Sequence, residues 1–381
     1  MRGCEQPATA ILRGRALAAG AGTVTVRTGE AEFWETQTAA VLRCYLHAAA
    51  VGGRGAAELL RWSQAPATPE PVRLLHAHGR VPAWADELAA QMAAELRLRD
   101  NVWSGVRRAL DCLADPAVLD ACDPAPGDEL DPEAFLACGG TLYLLGSTGA
   151  QASVASLITA LVEDLVDAAG RIADRSPGGR LDPPLGLVLN EAANLCPLPS
   201  LPTLLTSGGG RGITTMVVLQ SLGQARHRWG EAAADAMWDG ATAKLVFGGL
   251  AQADDLARIS RLAGEFDEPT HTRSRGAGGD SVSTGMRRVP VLGVEELRSM
   301  AAGRAALFYR HLPPIVTRLT PWWDLPIATT VRKGQAAALA ANRPGVSRCP
   351  ACGRRLPAEV DGRCSGCAVA NEYPDYPSAV T

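Results

Sequence analysis

The hydrophobic pattern of the chain changes near residue 136. Up to about residue 120, apolar residues recur every three to four positions, which predicts helices. This spacing is carried by Phe33, Trp34, Val41, Leu42, Tyr45, Leu46 and Ala49. It returns at residues 84–113, after a Pro-rich linker at 66–71. We therefore predict an all-helical domain at 31–135, preceded by a weakly patterned segment, 1–30, with one short strand at 21–26.

Beyond residue 136, short apolar runs alternate with amphipathic segments. Runs at 140–147 and 185–189 predict strands buried on both faces, and runs at 213–220 and 244–247 predict two further strands. Helices predicted at 154–172, 198–206 and 252–263 separate them. This alternation predicts an α/β domain at 136–325 with a mostly parallel, wound sheet. Within it, 305–309 and 315–319 predict closing edge strands, 271–288 a mobile loop, and 326–345 a linker.

Composition narrows the protein class. The chain has 381 residues, 47% of them apolar and 20% charged, which allows two or three globular domains and excludes wholesale disorder. A formal net charge of −3 argues against a globally basic nucleic-acid-binding protein, although it permits a local basic patch. The sequence contains neither a long apolar run nor a signal-peptide pattern, so we expect a cytoplasmic protein without a membrane span.

Polar residues end two of the predicted strands. Asn190 and Glu191 follow the run at 185–189, and Gln220 ends the run at 213–220. In P-loop NTPases such a strand delivers acidic residues to the sheet edge, where one holds Mg²⁺ and the next activates water. Asn190 would then be a degenerate magnesium position, Glu191 the base, and Gln220 a sensor of the γ-phosphate. Strand-end residues that only cap the next turn are an equally weighted alternative.

A glycine-rich turn precedes the second of these strands. Residues 208–212 read Gly-Gly-Gly-Arg-Gly, and glycines permit close backbone approach. Arg211 could reach a phosphate or, in a ring, act on the nucleotide of a neighbouring subunit. A plain helix-to-strand turn with a solvated arginine is the alternative, and the sequence alone favours it.

The block at 185–230 resembles the TraG/TraD-type coupling ATPases of conjugative type IV secretion. It reads LGLVLNEAANLCPLPSLPTLLTSGGGRGITTMVVLQSLGQARHRWG. The resemblance continues through ATAKLVFGG (241–249), RRVPVL (287–292) and Pro321-Trp322. It also includes FW…VLRCYLHAAA (33–50), so that it extends over roughly residues 3 to 323.

This resemblance implies a RecA/P-loop-like motor domain with an inserted all-helical domain. It further implies a homo- or hetero-hexameric ring at the cytoplasmic face of the membrane, which feeds relaxase-bound single-stranded DNA into the secretion channel. The helical domain would recognise the relaxosome, channel proteins would be partners, and 185–321 would be the TraM-recognition region. Residues 1–30 would then be a remnant of the motor domain.

The sequence departs from the family pattern at three places. It contains no G-x-x-x-x-G-K-[ST] phosphate loop, since its only lysines are Lys244 and Lys333. We expect that loop and the membrane helices to precede residue 1. Asn190 replaces the acidic metal-side residue, and Gly209 stands where family members often carry an arginine. We therefore expect very low affinity for ATP and Mg²⁺, and no ATP hydrolysis by this polypeptide alone.

A separate cysteine motif lies near the C-terminus. Cys349, Cys352, Cys364 and Cys367 form C-x₂-C-x₁₁-C-x₂-C, which predicts a closed, structural Cys₄ zinc site in a ribbon at 346–370, followed by a tail at 371–381. Four unpaired surface thiols are the alternative. The other six cysteines are scattered, which is typical of thiols in a reducing compartment.

Two functions fit these observations. The chain is either a motor subunit that works with a P-loop-bearing partner, in which the arginine-rich loop at 271–288 could line a DNA pore, or a non-enzymatic adaptor. The adaptor would recruit relaxosome or protein substrates through its helical domain and zinc ribbon. A nonfunctional gene fragment is a third possibility.

Overall fold

The computed structural model describes residues 1–22, 29–125, 127–145, 151–276 and 279–341. Most of the predicted strand at 21–26 and the whole predicted zinc ribbon, including Cys349, Cys352, Cys364 and Cys367, lie outside these residues. The chain divides into two compact units, Met1–Thr242 and Ala243–Thr381. The finer domain boundaries expected from the sequence stay predictions.

The first unit begins with helices, which confirms the helical pattern predicted up to residue 120. They are α1 (Pro7–Ala21), α2 (Gly29–Val51), α3 (Ala56–Gln64), α4 (Glu70–His78), α5 (Ala83–Ala93), α6 (Leu96–Leu110), α7 (Pro116–Cys122) and α8 (Pro132–Ala137). Helix α1 was not predicted from the weakly patterned segment 1–30. Its buried face is made mostly of alanine and glycine, which leave no repeat of large apolar residues.

Three aromatic side chains are fully buried in the core of the helical domain. Tyr45, Trp62 and Trp103 are each at most 1% exposed. The Trp103 indole N–H donates to the Tyr45 hydroxyl at 3.2 Å, and that hydroxyl donates to the Trp62 carbonyl at 3.2 Å. The Trp103 indole N–H, the Tyr45 hydroxyl and the Trp62 carbonyl are therefore all hydrogen-bonded, as buried polar groups in a stable core normally are.

Helix α1 is held close to α9 (Gln151–Arg175), the long helix that follows the helical domain. A Cβ at Gly20 would clash with the α9 backbone at Ser156, so a glycine is needed at this crossing. Arg13 of α1 forms a bidentate ion pair with Asp164 of α9, at 2.7 and 3.3 Å. Helix α9 confirms the amphipathic helix predicted at 154–172.

The remainder of the first unit contains the parallel strands β1 (Leu185–Leu189) and β2 (Ile213–Val217), in register from Leu185↔Ile213 to Leu189↔Val217. The helices around them are α10 (Ala192–Leu195), α11 (Leu201–Ser207), α12 (Leu222–Trp229) and α13 (Glu231–Gly240). Alternate residues of both strands pack into a core with α9 and α11 to α13. These strands confirm the two predicted at 185–189 and 213–220.

The opposite face of this sheet is open, so the prediction that the strand at 185–189 is buried on both faces is wrong. Val188, Met216 and Val218 are 74%, 55% and 40% exposed. We call these three residues the open sheet face. Parallel sheets normally have both faces covered.

The strand predicted at 140–147 is also wrong over its described residues, 140–145, which form no regular element. Leu145 is 91% exposed. A buried strand needs a neighbouring strand to satisfy its backbone hydrogen bonds. No strand in the described part of the chain pairs with this run.

The second unit carries an antiparallel sheet of order β3-β6-β7, made of β3 (Ala243–Phe247), β6 (Arg304–Tyr309) and β7 (Ile315–Arg318). The same unit contains helices α14 (Ala253–Ala263) and α15 (Val294–Arg298). The runs at 244–247, 305–309 and 315–319 are confirmed as strands. Their arrangement corrects two expectations: β3 belongs to no parallel sheet, and β6 is the central strand rather than an edge. Within the described residues, only β1 and β2 are parallel.

Two segments of the second unit are more ordered than expected. The stretch predicted as a mobile loop at 271–288 lies in a long hairpin of β4 (Glu265–Gly276) and β5 (Gly279–Pro290), apart from residues 277 and 278, which are outside the described residues. Cross-strand pairing accounts for this, with Arg288 3.7 and 3.8 Å from Glu265 and Asp267. The predicted linker at 326–345 contains α16 (Ala328–Ala341), whose run of alanines favours a helix. No helix among the described residues is long and apolar enough to cross a membrane.

Candidate functional site at the ends of the parallel strands

The structure brings Glu191 and Gln220 together. Because β1 and β2 are parallel, their carboxyl ends lie at the same edge of the sheet. The Gln220 side-chain amide donates to the two carboxylate oxygens of Glu191 at 3.3 and 3.2 Å. Asn190, between β1 and Glu191, is exposed at the same edge. The two residues expected to form the catalytic edge are therefore in direct contact.

Glu191 has a left-handed backbone conformation, with φ 54° and ψ 37°. Such a conformation is unfavourable for a residue with a side chain and is typical of functional sites. It directs the chain sharply from β1 into α10, whose Asn194 and Leu195 N–H groups donate to the Glu191 carbonyl at 2.9 and 3.0 Å. The turn thus fixes the glutamate at the edge of the sheet.

Two further amides complete a polar network that sequence reasoning missed. The Asn194 amide donates to the Glu191 carboxylate at 2.9 Å. The Gln224 amide donates to the Asn194 side-chain oxygen at 3.4 Å, while its own oxygen accepts the Gln220 backbone N–H at 3.0 Å. Asn194 lies three residues after Glu191, and Gln224 four after Gln220. That spacing at two helix starts was the available signal.

The loop between α10 and α11 is anchored from two sides. The Glu163 carboxylate of α9 accepts the Ser200 N–H at 2.9 Å, and the Trp229 indole N–H donates to the Leu198 carbonyl at 2.8 Å. Burial raises the pKa of Glu163 and raises the pKa of Cys196, in the same loop, to about 12. The Cys196 thiol is therefore protonated at neutral pH, and the two hydrogen bonds tie this loop to α9 and α12.

Arg211 lies away from this network. It precedes the amino end of β2, and five strand residues, about 17 Å of chain, separate it from the carboxyl edge. Its guanidinium donates to the Gly170 carbonyl at 3.0 Å and forms an ion pair with Asp174, so it contacts the end of α9. An action of Arg211 on a neighbouring subunit stays a prediction.

The two lysines are in regular elements of the second unit: Lys244 is in β3 and Lys333 in α16. Neither follows a glycine-rich loop. Over the ranges that the structure describes, no group of three or more His, Cys, Asp or Glu side chains is placed to hold a metal ion.

Residues 184–302 match the family described as the TraM recognition site of TraD and TraG. The chain carries the TraM-recognition region of TraG/TraD-type coupling proteins. The family resemblance drawn from the sequence is thereby confirmed, and β1, β2 and the Glu191–Gln220 pair lie within the matched region. No curated protein matches the chain at a significant level.

Solved structures of the bacterial conjugative coupling protein TrwB share the fold beyond the TraM-recognition region. Unbound TrwBdeltaN70 has 19% identity and a TM-score of 0.58, covering 81% of this chain and 67% of that chain. TrwB with the GTP analogue GDPNP has 18% identity and a TM-score of 0.59, covering 81% and 68%. TrwB with the ATP analogue ADPNP has 20% identity and a TM-score of 0.57, with the same coverage.

Proposed function

We propose that this protein is a subunit of a conjugative type IV secretion coupling complex and does not hydrolyse ATP by itself. The observation that most supports the role in a coupling complex is the Glu191–Gln220 contact inside the TraM-recognition region. Its partners would be single-stranded DNA or the relaxosome and the proteins of the secretion channel. It would work in a homo- or hetero-hexameric ring at the inner face of the cell membrane.

The residues at the strand edge fit only part of an ATP site. Glu191 and Gln220 are suited to hold a water molecule and to contact a γ-phosphate. Asn190 supplies no charge for Mg²⁺, and the sequence of this chain contains no phosphate loop. In a phosphate loop, backbone amides and a lysine make most of the contacts that bind a triphosphate. We therefore infer that Asn190, Glu191 and Gln220 do not bind ATP on their own.

A P-loop-bearing partner would supply the missing groups. The open sheet face defined above would be covered by that partner, because an apolar face of a parallel sheet is stable when packed. The site would then be shared, with Glu191 and Gln220 on this chain and the phosphate-binding groups on the other.

The adaptor function is the second candidate. The well-packed helical domain supports it, because this domain could bind relaxosome or protein substrates without a nucleotide. The two candidates differ in whether Glu191 is needed.

Plasmid transfer from donor cells separates the two functions. We expect deletion of the gene to abolish transfer, and a gene encoding Glu191→Gln to fail to restore it, with a loss of at least about 100-fold, because an amide cannot accept a proton from water. The matched control is Glu231→Gln, an exposed glutamate of α13, which should restore transfer fully.

Restoration of transfer by Glu191→Gln would contradict the motor role and favour the adaptor. Full transfer without the gene would overturn both candidates. In addition, the purified chain should show no ATP turnover, and turnover that Glu191→Gln abolishes would contradict our proposal that it is inactive alone.

We also propose that Cys349, Cys352, Cys364 and Cys367 bind one structural zinc ion. The spacing of the four thiolates suits a tetrahedral site with no open position for chemistry. Elemental analysis of the intact chain should find about one zinc per monomer. Cys364→Ser with Cys367→Ser should remove it, whereas Cys138→Ser, at an exposed cysteine elsewhere, should not. A chain purified without chelator that lacks zinc would disprove the site.

A further inference from the structure

The side chains of Asn194 and Gln224 connect the ends of β1 and β2 through a directed chain of hydrogen bonds. The Gln220 backbone N–H donates to the Gln224 side-chain oxygen at 3.0 Å, and the Gln224 amide donates to the Asn194 side-chain oxygen at 3.4 Å. The Asn194 amide then donates to the Glu191 carboxylate at 2.9 Å. Each group therefore donates to the next, from the end of β2 to the glutamate after β1.

The two ends of this chain fix the orientation of both amides. A backbone N–H can only donate, so the Gln224 atom that faces it must be the oxygen, and the Gln224 NH₂ group is left to donate to Asn194. An ionised carboxylate can only accept, so the Asn194 group that faces Glu191 must be its NH₂ group. Exchanging oxygen and nitrogen in the Asn194 amide would set acceptor against acceptor at one end and donor against donor at the other.

The backbone holds both amides at the starts of two helices. The Asn194 backbone N–H donates to the Glu191 carbonyl at 2.9 Å, because the left-handed turn at Glu191 begins α10 at the next residue. The Gln224 backbone N–H donates to the Ser221 hydroxyl at 3.1 Å, which caps α12. Asn194 is therefore bonded to Glu191 twice, once through the backbone and once through the side chain.

The two carboxylate oxygens of Glu191 are used unequally. Oε2 accepts from the Asn194 amide at 2.9 Å and from the Gln220 amide at 3.2 Å. Among the described residues, Oε1 accepts only from the Gln220 amide, at 3.3 Å. Since a carboxylate has about four lone-pair sites, two on each oxygen, Oε1 keeps one site for a further donor such as water.

We propose that Asn194 is the positioning residue of Glu191 and that Gln224 orients Asn194. By holding Oε2, Asn194 leaves Oε1 as the oxygen that accepts a proton from water. This inference rests on the proposed function, because it assigns roles around the same glutamate. A general base must be within hydrogen-bond distance of the proton that it accepts, so a carboxylate that loses its orientation is a poorer base.

Plasmid transfer measures the effect of Asn194. Asn194→Asp is nearly the same size and still accepts from Gln224, but it replaces the donor to Glu191 with a second carboxylate. We expect transfer to fall at least about 10-fold, because a small misplacement of a reacting group can cost about 100-fold. Asn194→Gln keeps a donor and should recover most of the transfer. The matched control Asn101→Asp, at an exposed residue of α6, should transfer normally.

Gln224→Glu tests the orienting role. The new carboxylate still accepts the Gln220 N–H, but it has no donor for Asn194 and competes with Glu191 for the Asn194 NH₂ group. We therefore expect lower transfer, as for Asn194→Asp. Gln64→Glu, at an exposed residue of α3, makes the same chemical change elsewhere and should transfer normally.

Nuclear magnetic resonance of the side-chain amides in the full-length chain gives a readout that needs neither nucleotide nor transfer. The Asn194 NH₂ signals are assigned by their loss in Asn194→Asp. They should shift in Glu191→Gln, because an ionised acceptor is replaced by a neutral one, and also in Gln224→Glu. The melting temperature of each Asn194 and Gln224 variant should stay within about 2 °C of the unchanged chain.

Several results would overturn the positioning role. Asn194 signals that do not move in Glu191→Gln would show that the two side chains are not in contact. Equal losses from Asn194→Gln and Asn194→Asp, or a loss accompanied by a larger fall in melting temperature, would assign Asn194 to the stability of the fold. Normal transfer by Asn194→Asp, when Glu191→Gln fails, removes the positioning role and leaves the proposed function intact. Normal transfer by Glu191→Gln removes the motor role, and the positioning role with it.

Discussion

Trp103→Ala is expected to destabilise the first unit by about 3–5 kcal/mol, the usual cost of removing a large buried aromatic side chain. Trp103 is fully buried in α6, and its indole N–H donates to Tyr45, which in turn donates to Trp62. The substitution leaves a cavity and also deprives the Tyr45 hydroxyl of a donor. Urea unfolding followed by far-ultraviolet circular dichroism should show a markedly lower midpoint for the first unit.

Two variants separate the contributions to this effect. Trp103→Phe keeps an aromatic ring and loses the hydrogen bond and part of the volume, so we expect about 1–2 kcal/mol. Trp323→Ala removes a half-exposed tryptophan from the second unit and should change stability by less than about 1 kcal/mol. An unchanged midpoint for Trp103→Ala would show that the aromatic cluster does not hold the helical domain together.

The second large effect is expected at the ion pair between α1 and α9. Arg13→Met should destabilise the first unit by about 3–5 kcal/mol, because it leaves the carboxylate of Asp164 largely buried without its partner. Arg13 also donates to the Arg2 carbonyl at 2.7 Å, so the N-terminal residues would lose an anchor as well.

A double-mutant cycle tests the pairing directly. Arg13→Met combined with Asp164→Leu should recover much of the loss, since no unpaired charge then remains in the interior. Arg171→Met is the matched control, because its partners Asp167 and Glu133 are about half exposed, and we expect less than about 1 kcal/mol. Additive losses from the Arg13 and Asp164 substitutions would contradict a coupled pair.

The sequence predicted the part of the site that follows from the order of strands and polar residues in a parallel sheet. Parallel strands end at one edge, so the polar residues after β1 and β2 had to be neighbours, and Glu191 and Gln220 are. Asn194 and Gln224 were not predicted, because their spacing after Glu191 and Gln220 is a weak signal: a side-chain amide on the first turn of a helix is common. Their roles follow only from the turn at Glu191.

The errors in the fold have physical causes as well. The run at 140–145 has the composition of a buried strand, but a strand depends on a pairing partner that its own sequence does not specify. The hairpin β4–β5 shows the converse. Its serines, glycines and arginines suggest a loop, yet pairing with a complementary segment orders them. Helix α1 was missed because its close approach to α9 uses Gly20 and alanines rather than large apolar residues.

The open sheet face has a consequence for measurements on the isolated chain. Val188, Met216 and Val218 present hydrocarbon to water, and whatever covers them binds the folded form in preference to the unfolded form. By mass action, the melting temperature of the chain should therefore rise with the concentration of the partner subunit that we propose covers this face, with no residue of this chain altered.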